Sequence, residues 1–201
     1  MSHFEHPFVP RRLVTGVEDG RSVFISDEVV GNTHHYQTVP GMTASVLYAT
    51  AVSPKLPVGS AEATPIHRPV LPRAGETVLM IVTFPPDSVY FSGDFDPQAS
   101  AMEQNDFYPE FAASFDPEVP GVHQTASIDY DIVLDGEIWL EVGDETRHLT
   151  AGNVVIQGGA RHAWRNTGDR IATMCFVLVG AEPATGSPAP SLEPTPSSSE
   201  H

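Results

Sequence analysis

Two turn pairs, Asp135-Gly136 and Gly143-Asp144, bracket the short run "EIWLEV". A stretch this brief, with a turn at each end, has no room for a stable helix. Asp-Gly and Gly-Asp are favoured tight-turn pairs, so the segment predicts a strand joined to antiparallel neighbours. The same style continues on both sides. "HQTASIDYDIVL" precedes it, and "TRHLT", "AGNVVIQGGARHAWRNTG" and "IATMCFVLVG" follow. Upstream, "SVFIS", "ASVLYAT" and "TVLMIVTF" are rich in β-branched and aromatic residues, the types that fit a pleated surface. Closely spaced antiparallel strands with glycine turns predict an all-β sandwich or small barrel.

Two segments interrupt the pattern. Residues 54–75 are proline-rich and predict a loop. In the second, Asp96 is a candidate N-cap and Pro97 stands at the first helical position. Phe107, Phe111 and Phe115 recur every fourth residue, and Pro109 divides the segment into two short helices. This insertion, about 96–116, is either a packed surface element or a lid over a pocket. An N-terminal arm (1–10), a barrel domain (11–182) with its densest strands at 121–179, and a Pro/Ser-rich tail (183–201) expected to be disordered complete the layout.

The strand at 123–132 has one unusual face. His123, Thr125, Ser127, Asp129 and Asp131 alternate onto one side, opposite Gln124, Ala126, Ile128, Tyr130 and Ile132. In the most apolar part of the chain, such a polar face belongs toward a lined interior rather than bulk water. His162 opens a second strand of the same style. With His123 and Asp129 it makes a two-histidine, one-carboxylate set, which suits a divalent first-row metal with open positions.

Charge excludes some partners. The 201 residues carry 10 Lys plus Arg against 26 Asp plus Glu, a formal charge of -16. Nucleic acid and anionic membranes need clustered basic residues, so neither is expected. The first twenty residues lack a continuous apolar signal-type stretch, and no run approaches the roughly 18 apolar residues of a membrane span. The single cysteine, Cys175, lies in an apolar run and is expected buried and inert. With no intramolecular disulfide possible, the expectation is a cytoplasmic protein.

Residues 121–166 resemble the paired motifs of the cupin superfamily. His123, Asp129 and Gly136 keep the first motif's spacing from histidine to acid to glycine. Gly152, His162 and Asn166 match the second, within "GNVVIQGGARHAWRN". Thr125 stands where the first motif has its second histidine, Asp129 where it has glutamate, and Gly158 replaces a proline. The N-terminal part, with "RRLVTGVEDGRSVFISDE" and "VTFPPDSVYF", is similar to small single-domain cupins of bacteria and fungi, some linked to secondary metabolism.

The resemblance implies a single jelly-roll β-barrel with extra N-terminal strands and a short helical insertion. It also implies a divalent ion (Zn, Fe, Mn or Ni) on His123, Asp129 and His162. The function expected first is a metal-assisted lyase, a dehydratase or decarboxylase, in which His162 or Asp131 moves a proton beside a carbonyl or carboxylate. A non-haem iron dioxygenase and a non-catalytic small-molecule-binding cupin are the alternatives. Thr125, Ser127, Gln157 and Trp164 are the candidate substrate contacts. A homodimer is expected, with Trp139 on a sheet face that needs cover. His34, His35 and His67 are expected at the surface.

Overall fold

The computed structural model describes residues 8–58 and 69–182. The expected tail, most of the N-terminal arm, part of the proline-rich connection and His67 lie outside the described residues. Eleven strands and two short α-helices are formed among them.

The alternating strands form where β-branched residues and turns place them. β1 (Arg11–Glu18) and β2 (Arg21–Val29) make a separate two-stranded ribbon. β3 (Thr33–His35), β4 (Thr43–Thr50), β5 (Thr77–Phe84), β6 (Ser127–Asp135), β9 (Val154–Gln157) and β11 (Ala172–Gly180) build a six-stranded sheet, in the order β3-β4-β5-β11-β6-β9. β7 (Glu137–Val142), β8 (Glu145–Thr150) and β10 (His162–Arg165) build a three-stranded sheet, in the order β10-β7-β8. The named strand pairs are all antiparallel.

The core lies between the two larger sheets. β11 alternates strictly, with Ala172, Met174, Phe176 and Leu178 buried. Val133 of β6 and Ile138 of β7 meet them in one cluster, and Leu149 and Trp164 pack against it from the smaller sheet. Each fully buried aliphatic side chain contributes about 1.5–3 kcal/mol relative to exposure.

The Asp135-Gly136 turn does not close a hairpin within one sheet. β6 pairs with β11 and β9, whereas β7 pairs with β10 and β8. The turn is the corner at which the chain passes from one sheet to the other, which is the jelly-roll device. Gly136 has φ +77°, and a Cβ there would lie 2.9 Å from both Ala172 Cα and the Ile171 carbonyl oxygen. Only glycine lets the corner pass this close to the start of β11. The other pair, Gly143-Asp144, does form the expected two-residue hairpin, with Val142 opposite Glu145.

The insertion folds as two helices, α1 (Pro97–Phe107) and α2 (Pro109–Ala112). Asp96 caps α1 by accepting from the backbone N–H of Gln98 and Ala99. Glu103 of α1 binds the β3–β4 connection, accepting from the N–H of Gln37 (2.8 Å) and of Thr38 (2.9 Å) and meeting His34 Nε2 at 3.0 Å. Phe107 stacks on His34 with ring centroids 3.5 Å apart. The break at Pro109 therefore splits the phenylalanine series. Phe107 serves this anchor, while Phe111 and Phe115 turn elsewhere. His34, expected at the surface, is largely covered by these contacts.

Trp139 does not lack cover. It stacks on His148 at 4.5 Å, and His148 Nε2 lies 2.8 Å from Glu137 Oε2. Exposed apolar residues also gather on the outer face of the large sheet, where Ile128, Tyr130, Val154 and Ile156 are each more than two-fifths exposed. Cys175 points to that same side and is half-buried. Burial raises its thiol pKa, and the charge of Asp131 adds to the effect.

Asn166, matched in the second motif, is a structural knot. Its side-chain N–H groups donate to the carbonyls of Phe84 (2.8 Å) and Arg170 (2.7 Å), and its Oδ1 accepts from Gly168 N–H (3.1 Å). Replacing a buried group of this kind orphans its partners at about 1–3 kcal/mol apiece. Asn166→Leu is therefore expected to lower unfolding stability by about 3 kcal/mol, read as a lower urea midpoint at unchanged slope. A shift under about 0.5 kcal/mol would refute the role.

Candidate functional site

The inner face of β6 is polar because of its register. Ser127, Asp129, Asp131 and Val133 alternate inward, and Ile128, Tyr130 and Leu134 alternate outward. Asp131 is 1% exposed and Asp129 is 6% exposed. The neighbouring strand β9 sets Gln157 directly opposite Asp129, and Gln157 is buried as well. On the other side, β11 sets Leu178 opposite Asp129 and Phe176 opposite Asp131. The carboxyl groups thus share the interior with apolar neighbours.

Thr125 and Ser127 support the pair. Ser127 Oγ donates to Thr125 Oγ1 at 3.0 Å, and Thr125 Oγ1 lies 3.5 Å from Asp129 Oδ2. These contacts satisfy only part of the need. Asp129 Oδ1, Asp131 Oδ1 and Gln157 Nε2 are buried without a hydrogen-bond partner in the protein. Burial, opposed by the Ser127 and Thr125 hydroxyls, raises the Asp129 carboxyl above its usual range. Burial and the adjacent Asp129 push Asp131 up to about 8. Asp131 is therefore a neutral carboxylic acid at pH 7.

The two histidines form a second cluster. His123 and His162 face each other across an isolated antiparallel bridge, with paired backbone bonds of 2.9 and 3.0 Å. Their ring centroids are 4.3 Å apart. His162 Nδ1 lies 2.9 Å from the Ala160 carbonyl, and His123 Nδ1 lies 3.2 Å from the Gly121 carbonyl. A carbonyl only accepts, so each Nδ1 carries the proton and each Nε2 keeps a bare lone pair. Burial holds both imidazoles below their usual pKa. His123 falls to about 4, helped by its neighbour His162. Both are neutral bases at pH 7.

Aromatic rings close over this pair. Phe111 and Phe115 lie 5.3 and 4.9 Å from the His123 ring, and Trp164 stands edge-on to His162 at 6.0 Å. The loop behind the phenylalanines is pinned by an ion pair between Asp116 and Arg161, next to His162. Asp116 also accepts from the N–H of Glu118 and Val119. The residue patterning did not assign Phe111 and Phe115 to the site, although their four-residue spacing and the lid reading of the insertion pointed there.

The expected metal set of His123, Asp129 and His162 is brought together only in part. The imidazoles meet each other, and Asp129 lies with Asp131 and Gln157. Among the described residues, no group of three His, Cys, Asp or Glu side chains is placed to hold an ion. Thr125, at the position of the missing second histidine, is engaged with Ser127 and Asp129 instead. The tautomers suit metal ligation, but two imidazoles alone do not make a catalytic site of three protein ligands. A surface hollow of about 620 Å³ between the β3–β4 connection and the start of α1 contains none of these residues; Gln37, Thr38, Ser88, Phe95 and Asp96 line it.

No family model matches the chain. Over 64 residues it is 45% identical to phomopsin biosynthesis cluster protein C' of Diaporthe leptostromiformis, covering 31% of this chain and 34% of that protein. Over 66 residues it is 36% identical to oryzines biosynthesis cluster protein J of Aspergillus oryzae, covering 32% of this chain and 37% of that protein. The chain thus matches about a third of the length of these curated relatives. Among solved structures, it is similar to a Cupin 2 conserved barrel domain protein from Salinispora arenicola, with TM-score 0.36, 14% identity, and 70% of this chain and 77% of that one covered. It is also similar to a putative ethanolamine utilization protein Q from Salmonella typhimurium, with TM-score 0.39, 10% identity, and 87% and 99% covered. No helix among the described residues is long and apolar enough to cross a membrane. On its own strand order and its sheet-to-sheet corner at Gly136, the chain is an all-β jelly-roll barrel.

Proposed function

We propose that this barrel is an acid–base lyase acting on a small molecule, a dehydratase in its simplest form, and that its own side chains carry the proton transfers. The observation that carries the reading is that this barrel buries both a neutral imidazole with a bare Nε2, His162, and a carboxyl group that keeps its proton, Asp131. A base and an acid poised on either side of pH 7 are what elimination requires. His162 Nε2 removes a proton from the carbon beside a carbonyl. Asp131 gives its proton to the departing β-hydroxyl, which leaves as water while the carbon–carbon double bond forms. Thr125 and Ser127 hold Asp129, and Trp164 walls the imidazole end. The biosynthesis-cluster relatives support a place in secondary metabolism.

The donor set does not fit a self-sufficient metal site, so no step is routed through an ion. The iron-oxygenase alternative calls for two histidines and a carboxylate around one point, and the described residues do not supply that group.

The test is a panel of β-hydroxycarbonyl compounds in deuterated water, followed by NMR for exchange at the α-carbon and for loss of water. His162→Gln is expected to lose both signals. Asp131→Asn is expected to keep exchange and to lose elimination by about 10²-fold or more. Activity that vanishes with a chelator and returns with a divalent ion would replace this reading with the metal-assisted one. Oxygen consumption would favour the dioxygenase.

Stability should report the same protonation states. Asp131 is raised in the fold, so its contribution is complete below the unfolded value near 4 and is lost as pH rises through about 8. His123 is depressed, so its contribution is present above about 6.5 and is lost as pH falls toward 4. His34 and His162 are depressed as well and Asp129 is raised, so between pH 6.5 and 8 the Asp131 effect is isolated by comparing wild type with Asp131→Asn. From pH 6.5 to 8 wild type is expected to lose about 2 kcal/mol relative to Asp131→Asn, the other titrating groups being common to both proteins. Equal slopes for the two proteins in denaturant titrations would contradict a neutral Asp131.

A further inference from the structure

We infer that Asp129, Asp131 and Gln157 form a subsite for the cis edge of a neutral amide, a primary carboxamide or a lactam, on the molecule that enters the barrel. The inference deepens the acid–base reading by naming a substrate class, and it rests on the same interior. Its basis is three orphaned atoms. Asp129 Oδ1, Asp131 Oδ1 and Gln157 Nε2 are all buried, and none has a partner in the protein. A buried polar group left alone is costly, so the three together call for an occupant with matching donors and acceptors.

The geometry selects the occupant. Asp129 and Gln157 are directly opposed on paired strands, and such neighbours have Cβ atoms about 4.5–5.5 Å apart. An acceptor therefore stands beside a donor. The cis edge of an amide presents N–H and C=O side by side, and it can give a proton to Asp129 Oδ1 while accepting from Gln157 Nε2. Asp131 lies one step along the same face, roughly 7 Å on. It meets the second N–H of a primary amide or the ring beyond a lactam. Phe176 and Leu178, opposite Asp131 and Asp129 on β11, offer an apolar wall to the rest of the molecule. A carboxylate has no N–H to give and would leave the buried Asp129 Oδ1 unpaired. An amidinium has only donors, and it would turn them against the Gln157 N–H.

Three isosteric probes separate these cases: isobutyramide, isobutyrate and isobutyramidine. Binding is read at pH 7 by saturation-transfer NMR and by the rise in melting temperature. Isobutyramide is expected to bind saturably, about tenfold tighter than either other probe. Gln157→Leu should abolish the preference. Gln157→Glu, which exchanges the donor for an acceptor, should turn it toward the amidine. His162→Gln removes the base of the proposed elimination and should leave the amide preference intact, so a failed lyase assay and a failed subsite are told apart. Equal binding of all three probes, a wild-type preference for the acid or the amidine, or no binding, which would mean the three atoms hold buried water only, overturns the subsite.

Discussion

Two carboxyl groups buried side by side on one strand set the terms for the rest of this barrel. Asp129 and Asp131 occupy inward positions that a stability-driven sequence would fill with valine or isoleucine. Placing an ionised carboxylate in such surroundings is costly, and a second one two residues away adds repulsion. The fold answers in two ways. Thr125 and Ser127 give Asp129 a short chain of hydroxyls. Asp131 receives no such support and keeps its proton. The apolar cluster of Val133, Ile138, Met174 and Phe176 next to the pair supplies the burial that offsets the polar face. An expense of this kind, left partly unsatisfied, is characteristic of a site rather than of a scaffold.

Much of this was legible before any coordinates. The period-two alternation places Ser127, Asp129 and Asp131 on one inward face of β6, whereas the expected strand from His123 begins only at Ser127, and His123 joins His162 through an isolated bridge instead. Asp96 and Pro97 are local signals, and α1 begins where they place it. What was not legible depended on long-range pairing. Asp135-Gly136 has the composition of a hairpin, but whether the strands on either side pair with each other is decided elsewhere. Here it is decided by β11, which takes β6, and by β8 and β10, which take β7. Trp139 looked uncovered because His148 sits on another strand. Among the described residues the expected ligands are not gathered at one point, for a similar reason. Motif spacing reports distance along the chain, whereas ligation needs three side chains at one point, and Thr125 turns toward Asp129 rather than the imidazoles.

The helical insertion ties the β3–β4 connection to the imidazole pair. Its far end is fixed by Glu103, which takes two backbone N–H groups and faces His34. Its near end carries Phe111 and Phe115 onto His123. The depressed basicity of His123 comes first from burial, and those two rings are part of that burial. Position and protonation are therefore linked. With the phenylalanines in place, His123 is neutral, its Nε2 lone pair is available, and water is excluded from the imidazole pair. Moving the rings aside would return His123 to solvent and let its pKa climb toward the ordinary value. A barrel that must admit a molecule and then exclude water needs one element able to do both. The insertion is joined to the rest of the fold through a hydrogen-bonded anchor at Glu103 on one end and ring contacts with His123 on the other.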